Sequence, residues 1–271
     1  MALSLGLAQI EVEGAEPATN RQRAVEAVRS AADRGVDLVA LPEIFTVGYF
    51  AFDSYAEYAE PLNGETVTRL QSVAEECDIA VLAGSIVEDL AASTDAGSET
   101  PATEGYANAS VFIDDEGHRH AVYRKQHLFG YDSAEQELLT PGESLPTVDF
   151  GGFTIGMTTC YDLRFPELYR RLVEKGASLV LVPSAWPYPR VEHWRLLPQA
   201  RAVENLCYVA TINGAGSFDD ATLLGRSTVY DPWGTTVAGL GEEPGLVTAR
   251  IDPQEVERRR GAFPALEDRR L

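Results

Sequence analysis

The sequence predicts one α/β domain over residues 1–271, built on mixed sheets. Strand-like and helix-like patterns alternate along it, and no internal repeat or linker splits it. Hydrophobic residues make up 45% of the chain, enough for a substantial core at this length.

Leu3 to Ile10 is a short apolar run that reads as a first strand. It does not read as a signal peptide, because it lacks a basic n-region and turns polar by Glu11. An amphipathic stretch from about Asn20 to Arg34 predicts a helix, with Gly35 as its C-terminal cap. Asp37 to Pro42 reads as a buried strand ending at Glu43. Thr66 to Cys77 is helical in pattern and Ile79 to Val87 strand-like. Residues 90–105 are small, polar and punctuated by Pro and Gly, which predicts a flexible surface loop between two strands. Ala107 to Ile113 is sheet again. The turn signal Asp114-Asp115-Glu116-Gly117 then leads into a hairpin partner over His120 to Tyr123.

Phe153 to Thr159 is β-rich, and Phe165 to Glu174 is a helix closed by Gly176. Leu179 to Val182 is a buried strand. Val191 to Asn205 predicts a helix that Pro198 should kink or divide. Tyr208 to Ile212, Ser227 to Tyr230 and Leu246 to Ile251 complete the sheets, with a turn at Asp231-Pro232-Trp233-Gly234.

Charge narrows the partners. Lys and Arg number 22 against 42 Asp and Glu, a formal net charge of −20. Such a surface repels nucleic acid and anionic membranes, and mutual repulsion keeps molecules dispersed, as in halophilic proteins. Lys125 and Lys175 are the only lysines. No run approaches the roughly 20 apolar residues that span a membrane. Three widely spaced cysteines (Cys77, Cys160 and Cys207) suit a reduced cytoplasm better than a disulfide framework or a zinc site. The four histidines show no paired metal-ligand spacing, so neither metal nor cofactor is expected.

Cys160 follows an apolar strand and precedes a helix that begins near Arg164. A side chain on that elbow projects from the sheet edge near backbone N–H groups, which lower a thiol pKa and can hold an oxyanion. Most free cysteines, however, are small buried hydrophobes. Glu43 sits at a strand end among apolar neighbours, where burial would raise its pKa as a general base requires. A capping or surface glutamate is the alternative. Lys125 lies in Tyr123-Arg124-Lys125-Gln126-His127-Leu128-Phe129 and reads as a fixed cation or as a solvated strand-end charge.

Leu41-Pro42-Glu43, Tyr123 to Phe129, and Cys160-Tyr161-Asp162-Leu163-Arg164-Phe165-Pro166-Glu167 together resemble the nitrilase superfamily of carbon–nitrogen hydrolases. Pro183-Ser184-Ala185-Trp186-Pro187 and Ala200-Arg201-Ala202-Val203-Glu204-Asn205 extend the likeness in the expected order over nearly the whole chain. The resemblance implies a four-layer α-β-β-α sandwich, a Glu43–Lys125–Cys160 triad, and a homodimer or higher homo-oligomer with sandwiches packed face to face. Glu43 would be the base and Cys160 the nucleophile; Lys125 and the Tyr161 N–H would hold the oxyanion. It also implies a second glutamate beside the lysine, Glu135 or alternatively Glu137.

The residues after Cys160 resemble the branch of ω-amidases and deaminated-glutathione amidases. That implies a small-molecule substrate, the primary amide of a small carboxylic or 2-oxo acid, hydrolysed through a thioester with release of ammonia. Arg164 would bind the substrate carboxylate or pair with a carboxylate such as Glu167. Trp186 and Tyr49 would wall the pocket or belong to the core. His127 is expected as a structural hydrogen-bonding residue, and Cys77 and Cys207 as ordinary buried thiols. A nitrilase or N-carbamoyl hydrolase of the same architecture and a non-catalytic scaffold are the competing readings.

Overall fold

The computed structural model describes residues 2–131, 133–218 and 221–270. Its first half runs β1 (Leu3–Gln9), α1 (Pro17–Asp33), β2 (Leu38–Ala40), α2 (Tyr55–Tyr58), α3 (Glu65–Cys77), β3 (Ala80–Asp89), α4 (Leu90–Asp95), β4 (Tyr106–Ile113) and β5 (Arg119–Arg124). Next come α5 (Glu135–Leu138), β6 (Thr147–Phe150), β7 (Phe153–Met157), α6 (Pro166–Glu174), β8 (Leu179–Ser184), α7 (Val191–Asn205) and β9 (Tyr208–Asn213). The chain closes with β10 (Ser217–Phe218), β11 (Ala221–Thr222), β12 (Thr228–Tyr230), β13 (Thr236–Gly239), β14 (Gly245–Ile251) and α8 (Pro253–Ala262).

Two six-stranded sheets result, ordered β14-β1-β2-β3-β4-β5 and β13-β12-β9-β8-β7-β6. Each holds three parallel strands at its centre, β1-β2-β3 and β7-β8-β9, flanked by antiparallel ones. Helical crossovers make the parallel pairs and short turns the antiparallel pairs β4-β5, β6-β7 and β12-β13, while β3-β4, β9-β12 and β1-β14 pair across longer stretches of chain, so the sheets are mixed.

Alternation along the strands builds the layers. Leu3, Leu5, Leu7, Leu38, Ala40 and Leu82 share one core cluster with Ile155, Met157, Leu179 and Leu181 of the second sheet. Their opposite-facing neighbours Ala8, Val39, Leu41, Val81 and Ala83 pack instead with Val25 and Val28 of α1 and Val67 and Leu70 of α3. Leu168 and Leu172 of α6 and Trp194 and Ala202 of α7 cover the far side of the second sheet. The order is helices, sheet, sheet, helices: a four-layer α-β-β-α sandwich. Each fully buried Leu or Val in it contributes about 1.5–3 kcal/mol. No helix among the described residues is long and apolar enough to cross a membrane.

Two expectations need correction. Residues 90–105 are not loop throughout, because Leu90–Asp95 forms α4. Asp89 caps it by accepting the Ala92 N–H at 3.0 Å, and its alanines favour helix. Of the two outcomes expected at Pro198, division does not occur: α7 runs as one helix over Val191–Asn205. Proline removes one hydrogen bond, while Trp194 and Ala202 on either side are anchored in the core.

Candidate active site

Glu43 leaves the C-terminal end of β2 under tight backbone control. Opposite it, β3 slips register between Ala83 and Ile86, a bulge that brings Gly84 against the departing chain. A Cβ on Gly84 would lie 1.8 Å from the Leu41 carbonyl oxygen, so only glycine fits. Ser85 then receives the chain: its N–H donates to the Pro42 carbonyl at 3.2 Å, and its Oγ accepts the Ile44 N–H at 2.7 Å. The Glu43 side chain ends up fully buried.

Lys125 follows β5 and is equally buried. Its Nζ donates to Glu43 Oε1 at 2.9 Å and to Glu135 Oε1 and Oε2 at 2.8 and 2.9 Å. Glu135 stands at the start of α5, wholly buried, and also accepts from Tyr49 Oη at 3.0 Å and the Phe129 N–H at 2.6 Å. Glu137, the alternative, is exposed. Tyr49 lies beneath the lysine, its ring centroid 5.3 Å from Nζ, and is buried rather than lining an open wall.

Sequence reasoning missed Asn108 on β4. Its Nδ2 donates to both carboxylates, at 2.9 Å to Glu43 Oε1 and 3.3 Å to Glu135 Oε1. A polar Asn108 and Ser110 inside an otherwise apolar strand were the available signal.

Cys160 opens a 3-10 turn over Cys160–Arg164, with φ of +46°. That left-handed backbone is costly for a residue with a Cβ and needs its surroundings to hold it. Thr159 and Asp162 form a reciprocal capping box around the turn. Buried Asp162 does more, and it too was missed. Its Oδ2 accepts the Thr159 N–H at 2.9 Å and Tyr123 Oη at 2.6 Å, while its Oδ1 meets the His127 N–H at 3.1 Å and Nδ1 at 2.7 Å. One carboxylate thus ties the cysteine turn to the strand that delivers Lys125. His127 serves that tie and stacks on Phe165, with centroids 3.7 Å apart.

Cys160 as a residue is half-buried, whereas Glu43 and Lys125 are buried. The thiol lies beside the Glu43 carboxylate and the Ala185 N–H, and that N–H also donates to Glu43 Oε2 at 2.9 Å. Burial raises the Glu43 pKa; Lys125 offsets this in part while Glu135 adds to it. Burial alone would discharge Lys125, but Glu135 and Glu43 outweigh it and hold the ammonium well above its ordinary range. The lowering expected from nearby backbone N–H groups does not prevail: burial, reinforced by Glu43 and opposed by Lys125, pushes the Cys160 thiol well up. The resting pair is therefore a neutral thiol against a carboxylate with heightened proton affinity. Such a pair can pass a proton as the sulfur forms a bond, with a fixed cation nearby for developing negative charge.

Aromatic rings surround the turn. Trp186, 3% exposed, donates its indole N–H to the Arg190 carbonyl at 3.1 Å. Tyr161 packs edge-on to Phe129 and to Phe165. Arg164 makes no ion pair with Glu167 among the described residues; its guanidinium lies 5.2 Å from the Trp186 centroid and 5.7 Å from that of Tyr161. Cys207 is a buried thiol pushed up to about 12 by burial, and Cys77 lies half-buried on α3.

A family model described as carbon–nitrogen hydrolase matches residues 4–260. The 2-oxoglutaramate amidase of Paenarthrobacter nicotinovorans is 32% identical over 99% of this chain and 90% of its own length. The human omega-amidase NIT2 is 36% identical over 98% of this chain and 94% of its own. Among solved structures, a mutant of the amidase from Nesterenkonia sp. AN1 bears acrylamide added to its active-site cysteine. It superposes with a TM-score of 0.81 at 28% identity, over 98% of this chain and 99% of that one.

Proposed function

The chain belongs to the carbon–nitrogen hydrolase family, and from this premise we propose that it hydrolyses the primary amide of a small carboxylic or 2-oxo acid at Cys160. The observation that carries the reading is the gathering of Cys160 with a buried carboxylate and a buried ammonium, the last two hydrogen-bonded to each other. The names of the two relatives, an ω-amidase and a 2-oxoglutaramate amidase, support this substrate class.

Glu43 takes the thiol proton as Cys160 sulfur attacks the amide carbon. Lys125 and the Tyr161 N–H, a free donor of the first turn, bear the oxyanion. The carbon–nitrogen bond then breaks, Glu43 returns the proton to the departing nitrogen, and ammonia leaves a thioester. Water adds to the thioester carbon while Glu43 accepts its proton; the thiol departs reprotonated and the acid is released. Glu135 holds Lys125 in place, and buried Trp186 backs the Arg164 guanidinium.

We read residues 1–271 as one catalytic unit that works in the reducing cytoplasm and self-associates. Support for association comes from Leu196 and Val203, large apolar side chains exposed seven residues apart on α7. Ammonia release from a panel of ω-amides, nitriles and N-carbamoyl compounds tests the activity. Turnover of ω-amides is expected, and hydrolysis of nitriles alone would overturn it.

A further inference from the structure

Two cations beside the aromatic residues of the site have no anionic partner among the described residues. Arg124, Arg201 and Arg226 each pair with a glutamate. Arg164 and Arg190 meet no carboxylate within ion-pair distance among the described residues, in a chain carrying 42 acidic side chains. Arg164 Nη2 lies 3.1 Å from His193 Nδ1. A guanidinium can only donate, so in this contact the imidazole nitrogen is the acceptor. The contact orients Arg164 without neutralising it.

Both guanidiniums rest on one aromatic wall. Arg164 lies against Trp186 and Tyr161, and Arg190 lies 5.6 Å from the Phe129 centroid. Phe129 and Tyr161 are themselves 5.0 Å apart. Each ring is tied to the chemistry. Tyr161 follows Cys160, Trp186 follows the Ala185 whose N–H reaches Glu43, and the Phe129 N–H donates to Glu135. Arg190 is held as the residue preceding α7, its carbonyl accepting both the Trp186 indole and the Trp194 N–H.

An anionic substrate has to approach a protein of net charge −20 and a site where two carboxylates face one ammonium. Local positive charge is needed to make that approach favourable, and forked guanidiniums match a carboxylate in shape and charge. We propose that Arg164 and Arg190 form a two-guanidinium clamp for the carboxylate at the far end of the amide substrate, with Arg190 selecting anionic over neutral amides. The clamp rests on the amidase reading above and names what its pocket recognises.

The test compares Arg190→Ala with the unaltered protein on succinamic acid and on butyramide, its neutral analogue of equal length. The ratio of kcat/KM between the two should fall by about 10- to 100-fold, the weight of hydrogen bonds to a charged group, and the loss should lie mainly in KM. Arg190→Lys should recover part of it, since charge persists without the fork. Equal losses on both substrates, leaving the ratio unmoved, would overturn the clamp. Calorimetric binding of succinamic acid to Cys160→Ala protein, with and without Arg190→Ala, separates recognition from turnover. Binding that depends on Arg190 supports the clamp even if no amide is hydrolysed, an outcome that would sink the amidase reading alone. Binding indifferent to Arg190 sinks the clamp.

Discussion

At the scale of single residues, the balance between burial and company decides the chemistry. Lys125 is as buried as Glu43, yet two carboxylates keep it charged while Glu43 is driven toward its neutral form. As the proposed base, Glu43 works only as a carboxylate, so kcat/KM should fall as pH drops through the Glu43 pKa. Because that pKa is raised, the midpoint should lie above the ordinary 4.5, and Glu43→Gln should abolish this limb. A pH profile with an unshifted limb, or one that survives the substitution, would contradict the assignment. Glu43→Gln and Lys125→Ala should each lower kcat by at least about 100-fold in ammonia-release assays, the usual cost of losing a base or an oxyanion donor. Cys160, Glu43 and Lys125 were legible in the sequence as a set, through ordered motifs that resemble the nitrilase superfamily; taken singly, each had a bland alternative. Asn108 and Asp162 were not, because their roles exist only when β4 and the cysteine turn meet partners 65 and 39 residues away.

At the scale of elements, two local distortions aim the reacting groups. One is the left-handed turn at Cys160; the other is the bulge at Gly84 that receives the Glu43 segment. Gly84→Ala must displace the Leu41 carbonyl. It should cost about 1–3 kcal/mol in urea unfolding, as overpacking does, and should lower kcat through Glu43. Unchanged stability and turnover would mean the segment yields freely. The long periodic elements were legible because one face of each is apolar, as in α1 and α3. Elements with weak patterns were not. In α8 only Val256 is buried, and β13 is largely exposed, so neither carried a hydrophobic signal to read. Residues 90–105 misled for another reason: their small polar composition hid a helix set by the Asp89 cap.

For the whole molecule, charge and shape set separate expectations. A net charge of −20 repels itself, so raising salt from about 0.1 to 1 M should raise the urea midpoint as the screening length shrinks from about 10 to 3 Å. A midpoint that falls with salt would show that attractive ion pairs outweigh the repulsion. The exposed apolar face of α7 gives a second expectation. Leu196→Asp combined with Val203→Asp should shift sedimentation toward monomer, and an unchanged sedimentation coefficient would place any self-association elsewhere. The layer order is what connects these levels: two sheets meeting face to face bring the ends of β2, β5 and β7 to one place, where a carboxylate, an ammonium and a thiol converge.

That Cys160 is the nucleophile is tested most directly by trapping it. Protein treated with a haloacetamide during amide turnover is quenched, weighed intact and peptide-mapped while residual activity is followed in parallel. One adduct on Cys160, formed in step with the loss of ammonia release and absent from an inactive Cys160→Ala protein, is the predicted result. Full modification of Cys160 with activity intact, or a Cys160→Ala protein that still releases ammonia at the unaltered rate, would contradict it.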